Sequence, residues 1–154
     1  MKTSTFSKIS LLAIFATLFV QIGAQLFAML TIVQTLVKNP PKSFQMVKGD
    51  YGYDSSIFWN TIPNLTTLLF VIALIACWKT KARKWIIISF SIFICAGVLA
   101  MVVVEPKFAE LITNESSTTL NEMTSTRYRL DWTLWFLTLL SGLVLTKPIY
   151  DRLN

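Results

Sequence analysis

The sequence predicts an all-α integral membrane protein, a four-helix bundle with both termini cytoplasmic, and three observations carry that prediction. Apolar residues gather into four long runs, and a run of about 18 or more residues with few charges can cross the hydrocarbon core as a helix. Basic residues sit in the short connections between these runs, as positive-inside topology requires. Tryptophans fall at the ends of the runs, where interfacial aromatic belts form. With 54% hydrophobic and only 14% charged residues in 154, the chain reads as a single transmembrane domain over residues 1–154 rather than a soluble one.

The first predicted helix covers about residues 9–37. Lys2 and Lys8 followed by Leu11 to Val20 resemble a signal peptide with a small-residue site at Ala24, but the apolar run continues to Val37, so an uncleaved helix is expected. Thr17, Gln21, Ala24, Ala28, Thr31 and Thr35 form one small and polar stripe, the kind that lets helix backbones approach in a bilayer. Asn39-Pro40-Pro41 ends this helix, and the Gly and Asp content of Gly49 to Asp54 marks turns in an outer loop over 38–56. Asp54, Ser55 or Ser56 is placed to cap the second helix, about 57–78. That helix carries Asn60 and Asn64 one turn apart around Pro63, and because an unpaired amide in hydrocarbon is costly, both are expected to face the bundle.

A basic connection, Lys79 to Lys84, leads to the third helix at about 85–104, closed by Glu105-Pro106. A polar outer segment over 105–129 comes next, in which Leu111, Leu120 and Met123 are spaced for a short helix lying across the bundle. The fourth helix, about 130–146, is expected to stop at Lys147-Pro148. Asp131, Trp135, Thr138, Gly142 and Leu145 advance by four and three along one inward face. Two cysteines, Cys77 and Cys95, lie about ten residues apart in depth, too far for a disulfide, and read as small buried side chains.

Four spans put both termini on one side. That side carries net charge +7 against −1 on the other, out of the overall +6, so the termini and the Lys79–Lys84 connection are expected in the cytoplasm of a cell whose inner membrane holds the chain. Trp78 and Trp85 then mark the cytoplasmic edge, and Trp59, Trp132 and Trp135 the opposite one. The basic residues form no stripe along a soluble face, which argues against nucleic acid as a partner.

Polar groups concentrate toward the outer leaflet. Gln21, Gln25, Asn60, Asn64, Arg127, Arg129, Trp132 and Trp135 are the candidate ligand-binding residues, and Glu105 and Asp131 the candidate acid/base pair. Asp131 has Arg127 one turn before it, and Glu105 could meet Arg129. The absence of histidine removes the commonest metal ligand; no metal or cofactor is expected. No base stands where it could activate Ser91 or Cys95, and no phosphate-cradling glycine loop occurs.

The order of features also resembles a known group. Four spans, an acidic-Pro turn after the third (Val104-Glu105-Pro106-Lys107-Phe108) and an Arg/Trp-rich start to the fourth (Arg127 to Trp135) are similar to the anthrone-oxygenase-like family of small membrane proteins, most of them of unknown function. The resemblance implies oxygenation of a lipophilic aromatic molecule without an evident metal. Two functions are thus expected from different classes: a binder or oxidiser of a lipophilic small molecule in an outer-leaflet pocket, or a non-catalytic accessory subunit of a larger membrane complex, whose first and fourth helices pack on partner helices. The partners expected are the bilayer, a lipophilic small molecule, and another membrane protein or a homo-oligomer; a lone homodimer would disfavour the accessory-subunit reading. A transporter is disfavoured, because there is no internal repeat and no acid deep within a helix.

Overall fold

The computed structural model describes residues 5–38, 42–47, 52, 54–113 and 117–153, with side chains described at these positions apart from 37, 111–113, 117–124 and 152–153. The described residues are helical or irregular, without strand, and four helices are long and apolar enough to cross a membrane. The first span, Thr5–Leu36, comprises α1 (Thr5–Phe27), a π-helical segment (Ala28–Val33) and most of α2 (Gln34–Lys38). Next come a 3-10 turn, Lys42–Met46, and the second span, α3 (Ser56–Ala76). The third, Ala82–Glu110, joins α4 (Ala82–Leu99), a second π-helical segment (Ala100–Val104) and the start of α5 (Glu105–Thr113). The fourth, Ser125–Asp151, lies within α6 (Ser117–Leu153).

α1 packs on α3 and α6, and α4 packs on α6 and less extensively on α3. Neighbours run antiparallel: Ser7 near the start of α1 meets Ala76 at the end of α3, and Ser89 early in α4 meets Ser141 late in α6. The main apolar cluster sits between Leu11, Ile14 and Leu18 of α1, Phe70, Ala73 and Cys77 at the end of the second span, Ile86 and Phe93 of α4, and Leu145 of α6. Phe70 stacks on Phe90 at 5.0 Å between ring centroids and tilts against Phe93 at 5.6 Å. A smaller cluster joins Leu36 and Phe44 to Ile32, Met46 and Phe108 at the opposite end.

Small and polar residues share the interior with these core side chains, while other large apolar residues face outward. Ser7, Ser10, Ala73, Ala82, Ser89, Ala96, Ser141 and Gly142 are buried, whereas Phe6, Ile57, Ile75, Val98, Met101 and Phe136 are exposed. Lipid is as apolar as leucine, so close backbone packing and interhelical hydrogen bonds, not apolar burial, are what hold such helices together.

Several boundaries differ from the sequence expectation. Helix continues past Glu105-Pro106, where an end was expected, because the Glu105 N–H already bonds back five residues to the Ala100 carbonyl. The ladder has slipped out of its ordinary register where the proline arrives, and Pro106, second in α5, falls among the first-turn amides that need no intrahelical partner. Residues 105–129, expected as a polar segment with one short helix, are helical on both sides of 114–116, and the fourth helix begins at Ser117 rather than near 130. Pro148 lies inside α6 and is buried, with Leu145 and Ile149 packed on the main cluster, so the helix reaches Leu153. Both cysteines are free as expected, but Cys95 is exposed. The expected turns at residues 39–41 and most of 49–53, and the packing of Leu111, Leu120 and Met123, lie outside the described residues and side chains.

Candidate functional site

Interhelical hydrogen bonds organise the polar residues into separate ties. On the α1–α3 seam, Gln21 donates from Nε2 to Thr66 Oγ1 at 2.7 Å, and Thr66 passes its own proton to the Ile62 carbonyl at 2.8 Å. On the α1–α6 seam, Thr138 donates to the Leu134 carbonyl at 2.9 Å, so its Oγ1 accepts from Gln25 Nε2 at 3.4 Å. On the α4–α6 seam, Ser89 and Ser141 are fully buried and each donates to the other's carbonyl, at 2.8 and 2.9 Å. Serine is small enough to let the two backbones come within this reach. Two sealed atoms, Gln25 Oε1 and Trp135 Nε1–H, have no hydrogen-bond partner among the described residues.

The Arg127 guanidinium gathers the far end of the molecule. Its Nε donates to Asp131 Oδ2 at 2.9 Å, its Nη1 donates to the Val104 carbonyl at 3.0 Å, and its plane lies 4.6 Å from the Phe108 ring centroid. It therefore ties α6 to the π-helical end of the third span. The pair expected between Arg127 and Asp131 is present and nearly buried, with side chains 15% and 9% exposed. The pairing expected between Glu105 and Arg129 does not occur among the described ion pairs, and both residues are exposed. Trp132 stands edge-on to Tyr128 and to Trp135, at 6.1 and 5.6 Å, and is exposed.

Asn60 and Asn64, expected to face inward, point outward from α3. The inward polar residue of that helix is Thr66, on the face shared with Phe70, Ala73 and Cys77. At 3.6 residues per turn Asn64 lies about 200° round the helix from Thr66, and its amide donates to the Asn60 carbonyl at 2.6 Å. The α1 stripe holds through Gln21, Ala24 and Ala28, but Thr31 and Thr35 are exposed. The π-helical segment inserts extra backbone there and rotates the end of the span off the seam.

A cavity of about 510 Å³ lies between the end of α1 and the start of α3. Ala24, Phe27 and Ala28 form one wall, and Ile57, Phe58, Trp59, Thr61 and Ile62 the other, with Asp54 and Ser55 at the rim. The alanines of the α1 stripe leave the space that larger side chains would fill, and Phe58 and Trp59 meet edge to face at 4.9 Å. At the rim, Asp54 accepts from the Ser56 N–H at 2.8 Å in the first turn of α3. This hydrogen bond holds its carboxyl below the usual aspartate range, so the mouth carries a fixed negative charge at a helix N-terminus, where anions are favoured.

None of the expected site residues lines this cavity. Gln21 and Gln25 flank Ala24 in sequence but turn to Thr66 and Thr138; Glu105, Arg127 and Asp131 belong to the α6 end. Sequence reasoning misses Trp59 and Ile62, whose signal is their placement opposite Ala24 and Ala28 in an antiparallel pair of helices. Among the described residues no group of three or more His, Cys, Asp or Glu is placed to hold a metal ion. No family model, curated protein or solved structure matches the chain.

Proposed function

We propose that this is a multi-pass inner-membrane four-helix bundle, with both termini cytoplasmic, that binds a lipophilic small molecule in the cleft between its first and second spans. The cavity carries the proposal. Its volume lies within the roughly 300–1,000 Å³ usual for small-molecule sites, and its apolar walls with a single charged rim group suit a ligand that partitions into the bilayer. The orientation rests on the +7 to −1 charge asymmetry, which supports an outer-leaflet position for the cleft. Asp54 would hold a hydrogen-bond-donating or cationic end of the ligand at the headgroup level, and Phe58 and Trp59 would stack on a planar body.

The resemblance to the anthrone-oxygenase-like proteins supports an aromatic ligand class and adds oxidation as an activity to look for. The accessory-subunit alternative, in the form that uses the small faces of the first and fourth helices, finds those faces covered by each other through Gln25–Thr138 and Ile22–Gly142. Anthrone is a suitable probe. In a variant retaining Trp59 as its sole tryptophan, anthrone should quench fluorescence saturably, and Ala28→Phe, which fills the cavity wall, should abolish the effect. Equal, non-saturating quenching in both proteins would reduce the ligand to bulk partitioning and sink the proposal. Conversion of anthrone under air by wild type alone would support the enzymatic extension.

A further inference from the structure

The outward presentation of Asn60 and Asn64 is a physical problem that the chain does not solve internally. α3 is 21 residues long, about 31 Å at 1.5 Å per residue, which matches the hydrocarbon thickness and sets Asn64 about 3 Å from the midplane. One Asn64 donor is spent on the Asn60 carbonyl, and no other hydrogen bond engages either side-chain amide among the described residues. Lipid offers no partner to the remaining donors and acceptors.

The surroundings of these amides are those of a helix contact. Ile57, Asn64 and Val71 recur at seven-residue intervals, as do Thr61, Leu68 and Ile75 beside them, and all six are exposed. A seven-residue repeat is the pattern that keeps one helix face against another along a left-handed crossing. α3 is also the span least covered by the rest of the chain, with 17% of its apolar window buried against 22% or 28% in the others.

We propose that this face of α3 is the interface with a second copy of the chain, paired through Asn60 and Asn64. Two features select a second copy over a different membrane protein. An asparagine side chain carries both a donor and an acceptor, so it is its own complement across a two-fold axis. Copies inserted with the same topology must be related by an axis along the membrane normal, which brings each Asn64 to its equivalent at the same depth with no change of register. A lone asparagine at such a position is a well-attested way to fix partner and register. The cavity between α1 and α3 shares Ile57 and Thr61 with this face, so the second copy would stand beside its mouth.

The test is cysteine crosslinking of the full chain in its native membrane, with the exposed Cys95 replaced by alanine and Cys77 left in its buried place. Under copper–phenanthroline oxidation, Leu68→Cys should give a dimer, and Val98→Cys, on the outward face of α4, should not. Adding Asn60→Leu and Asn64→Leu to Leu68→Cys should lower the crosslinked fraction roughly tenfold, the scale set by two to four membrane hydrogen bonds. Leucine faces lipid without penalty, so accumulation and helicity of that variant should match wild type. Equal crosslinking from Val98→Cys, crosslinking that survives both leucine substitutions, or capture of a different polypeptide by Leu68→Cys would each overturn the assignment.

Discussion

Removing Arg127 should damage the protein far more than removing Arg127 and Asp131 together. The two side chains are 15% and 9% exposed and joined at 2.9 Å, so Arg127→Met leaves a carboxylate in a low-dielectric site with its partner gone. Breaking a buried pair from one side typically costs about 3–5 kcal/mol. It also strips the Val104 carbonyl of the Arg127 donor and the Phe108 ring of its cation. Asp131→Leu should be milder, about 2 kcal/mol, because Arg127 keeps the carbonyl and the ring. The double variant Arg127→Met with Asp131→Leu places two apolar side chains against α5 and should fall within about 1 kcal/mol of wild type. Equilibrium unfolding in mixed micelles, followed by tryptophan fluorescence and helicity, yields the coupling energy, expected at roughly 4 kcal/mol or more. Coupling below about 0.5 kcal/mol, the level of independent sites, would refute the reading of this pair as a buried, mutually dependent unit.

Other substitutions probe the same kinds of contact. Ser89→Ala and Ser141→Ala should each lower stability by about 0.5–1.5 kcal/mol and be non-additive in a double-mutant cycle, since the hydroxyls lie 3.0 Å apart and share one site. Gly142→Ala should stabilise by about 0.5–1 kcal/mol in the same unfolding assay, because alanine favours helix and its methyl would rest at 3.7 Å from Ile22 Cδ1; a destabilised variant would mean that the α1–α6 seam is too tight for a methyl group. Trp135→Phe should change stability by less than about 0.5 kcal/mol, since the lost indole N–H has no partner among the described residues, and a loss above about 1.5 kcal/mol would contradict that. The Asp54 carboxyl, held low by Ser56, should contribute to α3 stability fully above the ordinary aspartate value of about 4 and lose that contribution as pH falls through its lower folded value. A carbon-NMR titration of Asp54 with Ser56 intact should show the low midpoint, and an ordinary midpoint would rule out the hydrogen bond as a source of stability.

The helices are legible in the sequence because hydrocarbon thickness and apolar run length constrain each other directly. Which face of each helix turns inward is legible only in part. The face of Asp131, Trp135, Thr138, Gly142 and Leu145 on α6 is the packed one, as its four-and-three spacing predicts. On α3 the same reasoning points to Asn60 and Asn64, because it equates polarity with the inside, whereas Thr66 with Phe70, Ala73 and Cys77 forms the packed face. Polarity marks a need for partners, and those partners can lie outside the chain. The π-helical segments are not legible at all: nothing in Ala28–Val33 or Ala100–Val104 announces them, yet one turns Thr31 and Thr35 outward and the other carries the third helix past Pro106. The cavity is equally hidden, since it depends on the antiparallel register that sets Ala24 and Ala28 across from Trp59 and Ile62.

The most direct test of the proposed ligand-binding cleft is native mass spectrometry of the chain released from its own membrane, comparing wild type with Ala24→Leu and Ala28→Phe combined. A ligand-holding cleft predicts a discrete lipophilic adduct on wild type that is absent from the filled variant at equal abundance and helicity. The same adducts on both proteins would show that the cleft holds nothing that its volume controls, and would contradict the proposed function.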